Sequence, residues 1–288
     1  MNSNQKLSDT NNPSKVYALF YSFFLIPLMI AIFGSLFFFL FKMLTYEKED
    51  PYHLLNNIKS GSLTKRWQSA YELSNLMRDT EKIPDDQLFT NQMITMYKKS
   101  IHDDPRIRTY LALAMGQTGN ILFGDVLLEG LKDQSLENRI AAIKSLGSIK
   151  YDFSASILNQ IVNSNVDNQE RLAAIIALGE IKNPNSLDVL VNALDDEEAN
   201  IRWDAAMSLT KLNSNRGFYI LEKLLRREYY LNYPNVDSIE INNTILTILA
   251  LISDKPNNIF KDEILILSEK EKNIKIREFS MQILSEHY

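Results

Sequence analysis

Four arginines recur at near-constant spacing: Arg108, Arg139, Arg171 and Arg202 stand 31, 32 and 31 residues apart. A row of guanidinium groups is the most regular chemistry in the chain, and it admits two readings. One is a ladder of anion contacts; the other is a repeated ion pair that fixes geometry. Asp133 precedes Arg139 by six residues and Asp196 precedes Arg202 by six, with His102 and Asn165 in that place before Arg108 and Arg171. A residue so placed lies in the turn entering the same helix, within reach of a repeated Asp–Arg bridge, and the structural reading is favoured. Little else in the sequence has catalytic form. The three histidines, His53, His102 and His287, are not followed by Glu and have no ligand spacing to one another. That excludes a metal site of repeated His-Glu type on ligand count. With no cysteine, thiol chemistry is impossible, and no nucleophile elbow, P-loop or dinucleotide fingerprint is present. No cofactor, metal or catalytic residue is expected, and the chain reads as a non-enzyme.

The elements that position these arginines repeat with them. Arg108 opens RTYLALAMGQT, Arg139 RIAAIKSLGSI, Arg171 RLAAIIALGEI and Arg202 RWDAAMSLTKL, with Gly116, Gly147, Gly179 and Thr210 eight positions on. Positions three, four, seven and ten after each arginine are mostly apolar or small, which places them on one side of a three-turn helix. Asp104-Pro105 is an N-cap followed by proline at the first helical position, and Asp167 and Glu170 have capping-box spacing. Further helices are expected over 121–131, 153–162, 184–194 and 217–225. Helix, turn, helix at a fixed period is the mark of an α-solenoid, whose units stack on their neighbours.

The core resembles HEAT repeats, of the short bacterial kind related to the PBS-lyase HEAT-like repeat. The acidic residue six before the arginine, the arginine itself and the A-A-x-x-x-L-G-x-I that follows carry the resemblance. It implies an all-α, armadillo/HEAT-type α–α superhelix, a right-handed stack of antiparallel helix pairs used mostly for protein recognition. Chemistry is not implied by the fold itself. Lyase activity on bilins is a family-level alternative, which would make the chain a membrane-tethered enzyme or enzyme accessory.

Ahead of the repeats, residues 1–15 read as a disordered tail. Val16 to Phe41 is a 26-residue run without charge between Lys15 and Lys42, long enough to span a bilayer. It exceeds the apolar core of a signal peptide, and no small-residue cleavage site follows it. Residues 16–44 are therefore expected to be a transmembrane helix, with Tyr17, Tyr21 and Tyr46 at the interfaces. Lys6 and Lys15 on one side balance Lys42 and Lys48 on the other, so orientation stays open. Residues 45–62 read as a linker and 63–288 as the solenoid, with weaker registers at Arg66, Asn242 and Arg277. The chain's net charge of −5 comes without a concentrated Lys/Arg run, so a nucleic-acid partner is not expected.

Positions one, two and five after each arginine lie beside or opposite the core stripe and are too apolar for a plain solvated face. From them come the expected contacts for a protein partner: Trp67, Tyr71, Tyr110, Leu113, Ile176, Trp203 and Met207. Arg226–Pro234, with its three tyrosines, is a second candidate surface.

Overall fold

The structure, a computed structural model, describes residues 20–44, 50–164 and 166–288. The expected tail 1–15, the start of the apolar run with Tyr17, the interfacial Tyr46, part of the linker and Asn165 lie outside them. The described chain forms two units, which divide between Glu49 and Asp50.

The first unit is a single helix. A π-helical turn, Tyr21–Leu25, runs directly into α1, Ile26–Leu44. Pro27 explains the wide turn: it has no N–H to donate, and its ring would clash with the carbonyl four residues earlier in a regular α-turn. Phenylalanine rings spaced four apart stack on its surface, Phe20 on Phe24 at 5.5 Å and Phe37 on Phe41 at 6.4 Å. The stretch Tyr21–Phe41 is 21 residues long with a mean hydropathy of 2.6, and none of it is buried. It is long and apolar enough to cross a bilayer.

The second unit is a stack of helix pairs. First helices are α2 (Pro51–Ser60), α4 (Gln87–Lys99), α6 (Gly124–Gly130), α8 (Ala155–Asn163), α10 (Leu187–Asn192), α12 (Phe218–Leu224) and α14 (Lys261–Lys270). Their antiparallel partners are α3 (Leu63–Leu76), α5 (Pro105–Gln117), α7 (Leu136–Ser148), α9 (Asn168–Ile181), α11 (Ala199–Lys211), α13 (Ser238–Asp254) and α15 (Ile274–His287). Short 3-10 turns join most pairs. The expected linker is thus shorter than the sequence suggests, because residues 51–60 are the opening helix of the stack. Asp50 caps it by accepting from the Tyr52 amide, Pro51 occupies its first turn, and Leu54, Leu55 and Ile58 are buried. The same Asp-Pro signal starts α5, where Asp104 accepts from the Arg106 amide.

Second helices pack on one another from α3 to α11, whereas first helices, α12 apart, touch chiefly their own partners. The repeated small residues make the close layer possible. A Cβ on Gly147 would lie 2.7 Å from Ala177 Cα, and one on Gly116 2.8 Å from Ser145 Cα. Gly179 meets Ser208 in the same register. Serine hydroxyls then bond across the crossing, Ser145 to the Ala112 carbonyl at 2.7 Å and Ser208 to the Ile175 carbonyl at 3.0 Å.

The arginines join neighbouring units, which corrects the expected bridge. The acidic residue six earlier gives its carboxylate to the arginine of the preceding unit and only its backbone carbonyl to its own. Asp133 pairs with Arg108 at 2.6 Å, while its carbonyl accepts from Arg139 at 3.0 Å. Asp196 pairs with Arg171, and its carbonyl accepts from Arg202 at 2.6 Å. Glu271 repeats the arrangement, its carboxylate on Arg227 at 2.7 Å and its carbonyl on Arg277 at 3.0 Å. Where Asn165 stands in the acidic place, Glu170 substitutes and binds Arg139 through both oxygens at 2.9 Å. Glu170 is consequently not the second half of a capping box; Asp167 caps α9 alone, accepting from the Gln169 amide.

Candidate partner-binding groove

The close-packed layer loosens beyond α11, most of all between α11 and α13, which touch least of the neighbouring second helices. The cause is the segment Arg226–Pro234. Its 3-10 turn, Arg227–Asn232, brings Tyr229, Tyr230 and Tyr233 around the Trp203 indole, with ring centroids 6.2, 5.8 and 4.9 Å away. These rings form a wedge at the N-terminal end of α11, held further by Tyr230 donating to the Leu224 carbonyl at 2.8 Å. The three tyrosines are therefore packing material, while Leu231 between them stays exposed.

This arrangement corrects the expectation for Trp203. The residue is 5 % exposed and belongs to the core. Position one after the arginine faces the following unit, so a large ring there is covered by the next connection. Trp67, in the same position of α3, is half-buried, with the Arg106 guanidinium 4.3 Å over its ring.

Position five behaves differently. Tyr71 is 48 % and Ile176 38 % exposed, while Leu113 and Met207 are half-buried. The structure brings four of the seven expected residues together, in two separate pairs. Tyr71 and Tyr110 meet edge to face at 5.2 Å near the start of the stack. Further along, Ile176 and Met207 line one groove of about 520 Å³ with Asp204, Lys211, Ile239, Asn243 and Thr247. Lys144, exposed in the same position of α7, separates the two patches in register.

The groove has apolar walls and an acidic mouth. Asp237 and Glu240 stand at the start of α13, where Asp237 accepts from the Ile239 and Glu240 amides, both at 2.8 Å. Burial pushes the Asp204 carboxyl up to about 6, and the nearby Lys211 ammonium pulls the other way. Lys211 is itself committed, 2.5 Å from Glu180 on α9. Asp204 is thus the least compensated charge in the groove. Among the described residues no cluster of His, Cys, Asp or Glu is arranged to hold a metal ion. Ile239, Asn243 and Thr247 were missed from sequence because the register at Asn242 lacks its arginine and the groove opens where the period breaks.

Three comparisons bear on this architecture. A family model described as HEAT repeats matches residues 160–231. No curated protein matches the sequence. Among solved structures, a complex of CpcE and CpcF of phycocyanin lyase from Nostoc sp. PCC7120 is similar at 18% identity and a TM-score of 0.56, over 84% of this chain and 96% of that one. Computationally designed armadillo repeat proteins for modular peptide recognition align at 14% identity and a TM-score of 0.40, over 82% of this chain and 99% of theirs. The fold is all-α, an armadillo/HEAT-type α–α superhelix with one apolar helix ahead of it in the chain.

Proposed function

We propose that the protein is a membrane-anchored repeat scaffold that holds a protein partner against the concave face of its second helices. One observation carries the reading: Ile176 and Met207, apolar and accessible, line a groove on that face with the charged Asp204 among them. Accessible apolar side chains rimmed by polar groups are what protein contact surfaces present. The Tyr71–Tyr110 pair, with Leu113 and Trp67 near it in register, supplies a second patch along the same layer. Residues 21–41 serve as the anchor, supported by their length and hydropathy. The CpcE and CpcF of phycocyanin lyase form a complex with one another, and association of this kind is the role assigned to the chain.

A photocrosslinker replacing Met207 in the full-length protein, irradiated in its own membrane, should give one discrete protein adduct. The same group replacing Ile157, exposed on the first helix α8, should not. Equal adduct patterns at the two positions would remove the groove from the binding face. The second reading, a membrane-tethered enzyme or enzyme accessory of the lyase type, is favoured by Asp204, a carboxyl that gives up its proton two pH units later than usual. It requires a small-molecule adduct at Met207 in place of a protein.

A further inference from the structure

The connections that end one helix pair and begin the next lie along a single edge of residues 50–288. Contacts tie them in series. The Tyr52 hydroxyl donates to Asp86 at 2.5 Å, and the Asn120 amide to Thr90 Oγ1 at 3.3 Å. The Asn183 amide donates to Asp152 at 2.7 Å, and Lys255 to the Thr210 carbonyl at 2.7 Å. Asp50 caps the first helix on this edge, so the chain leaving the apolar helix enters the stack here.

This edge carries exposed apolar side chains at its turn tips. Phe153 is 79 % exposed, and Ile121 and Leu122 are 55 % and 57 % exposed. Its charge is also distinct. The four middle connections 119–123, 150–154, 182–186 and 213–217 contain Lys150, Lys182 and Arg216 against one carboxylate, Asp152, whereas connection 77–86 carries Arg78 and Lys82 against Asp79, Glu81, Asp85 and Asp86. On the opposite edge, the described residues of connections 131–135, 164–167 and 195–198 contain Lys132 against Asp133, Asp167, Asp195, Asp196, Glu197 and Glu198. Backbone conformation adds an independent sign. Each connection has a left-handed residue eleven after the arginine: Gly119 at φ +66°, Lys150 at +53°, Lys182 at +61° and Asn213 at +63°. Glycine adopts that conformation freely and lysine does not. Two lysines nevertheless stand there, both of them exposed.

Apolar tips flanked by cations fit the surface of an anionic bilayer, where such side chains enter the boundary of headgroups and acyl chains while ammonium groups meet phosphates. We propose that the part of this edge formed by residues 119–123, 150–154, 182–186 and 213–217 rests on an anionic lipid surface, with Phe153, Ile121 and Leu122 inserted at the interface and Lys150 and Lys182 beside the headgroups. The proposal rests on residues 21–41 being the anchor.

The absence of cysteine makes single labels clean. Full-length protein bearing a fluorophore on Phe153→Cys, on Leu231→Cys of the opposite edge, or on Phe33→Cys of the apolar helix is reconstituted into vesicles. These contain phosphatidylcholine and phosphatidylglycerol, with or without lipid-attached quenchers. Quenching is expected at Phe33→Cys and Phe153→Cys, severalfold stronger at the latter than at Leu231→Cys. Adding Lys150→Glu and Lys182→Glu should weaken it at Phe153→Cys and leave Phe33→Cys unchanged. Quenching at Phe33→Cys with no difference between Phe153→Cys and Leu231→Cys overturns the edge and leaves the anchor standing. No quenching at Phe33→Cys overturns the anchor, and the proposal with it.

Discussion

Asp204 is the residue at which stability and recognition pull apart. Its carboxyl has an ordinary pKa of 3.8 and is raised by burial to about 6 in the folded chain. Below the lower value it is protonated in both states and costs nothing. Between the two values the folded chain retains a proton that the unfolded chain releases, so this group lowers stability as pH rises and its full cost is present above 6. Asp204→Asn should therefore stabilise the protein by about 2–3 kcal/mol at neutral pH, with no gain at pH 3.5. Thermal melts of wild type and variant in detergent across that range check it; a gap that does not change with pH would show that Asp204 is solvated. Trp203 teaches the converse lesson. From sequence its size made it an anchor for a partner, and its ring is instead spent inside the molecule on three tyrosines.

At the scale of the helix, the glycines separate two effects that a sequence cannot. Gly147 sits where a Cβ would press on Ala177 backbone, while Gly119 has open space around it but a left-handed φ of +66°. Gly147→Ala should cost about 1–3 kcal/mol through displacement of α9 from α7. Gly119→Ala should cost about 1 kcal/mol through backbone conformation alone. Denaturant melts of the two variants distinguish the cases, and equal, negligible effects would mean that the α7–α9 crossing is looser than its geometry. The arginine–glycine register was legible because both residue types answer to strict local demands, an ion pair at one end of a helix and a crossing at the other. The opening helix α2 was not. Its three buried residues, Leu54, Leu55 and Ile58, sit in a polar stretch with no arginine to set the frame, although Asp50-Pro51 announces a helix start as plainly as Asp104-Pro105 does.

Across the whole molecule, the period could be read and the departures from it could not. Spacing widens between Arg66 and Arg108 and again between Arg202 and Asn242. The second departure inserts the tyrosine wedge, parts α11 from α13 and opens the groove. Sequence reasoning thus found Ile176 and Met207, which lie within the regular part, and missed the α13 side of the same groove. Likewise the arginines were rightly judged structural, but a one-dimensional pattern cannot say whether an acidic residue pairs within its unit or with the one before.

Because each carboxylate binds backward to the preceding arginine, the joint between any two units contains all the groups it needs. Removing residues 139–170 would place Arg171 directly after Asn138, in the position that Arg139 holds. Arg108 would keep Asp133, Arg171 would keep Asp196, and Gly116 would meet the small Ala177 where it now meets Ser145. The shortened chain should fold with the same helix content per residue by circular dichroism; a deletion of half that length, residues 139–154, should aggregate, and equal folding of both would deny the register. A lineage carrying this chain can therefore lengthen or shorten it in whole steps by unequal recombination, without any second mutation to heal the join.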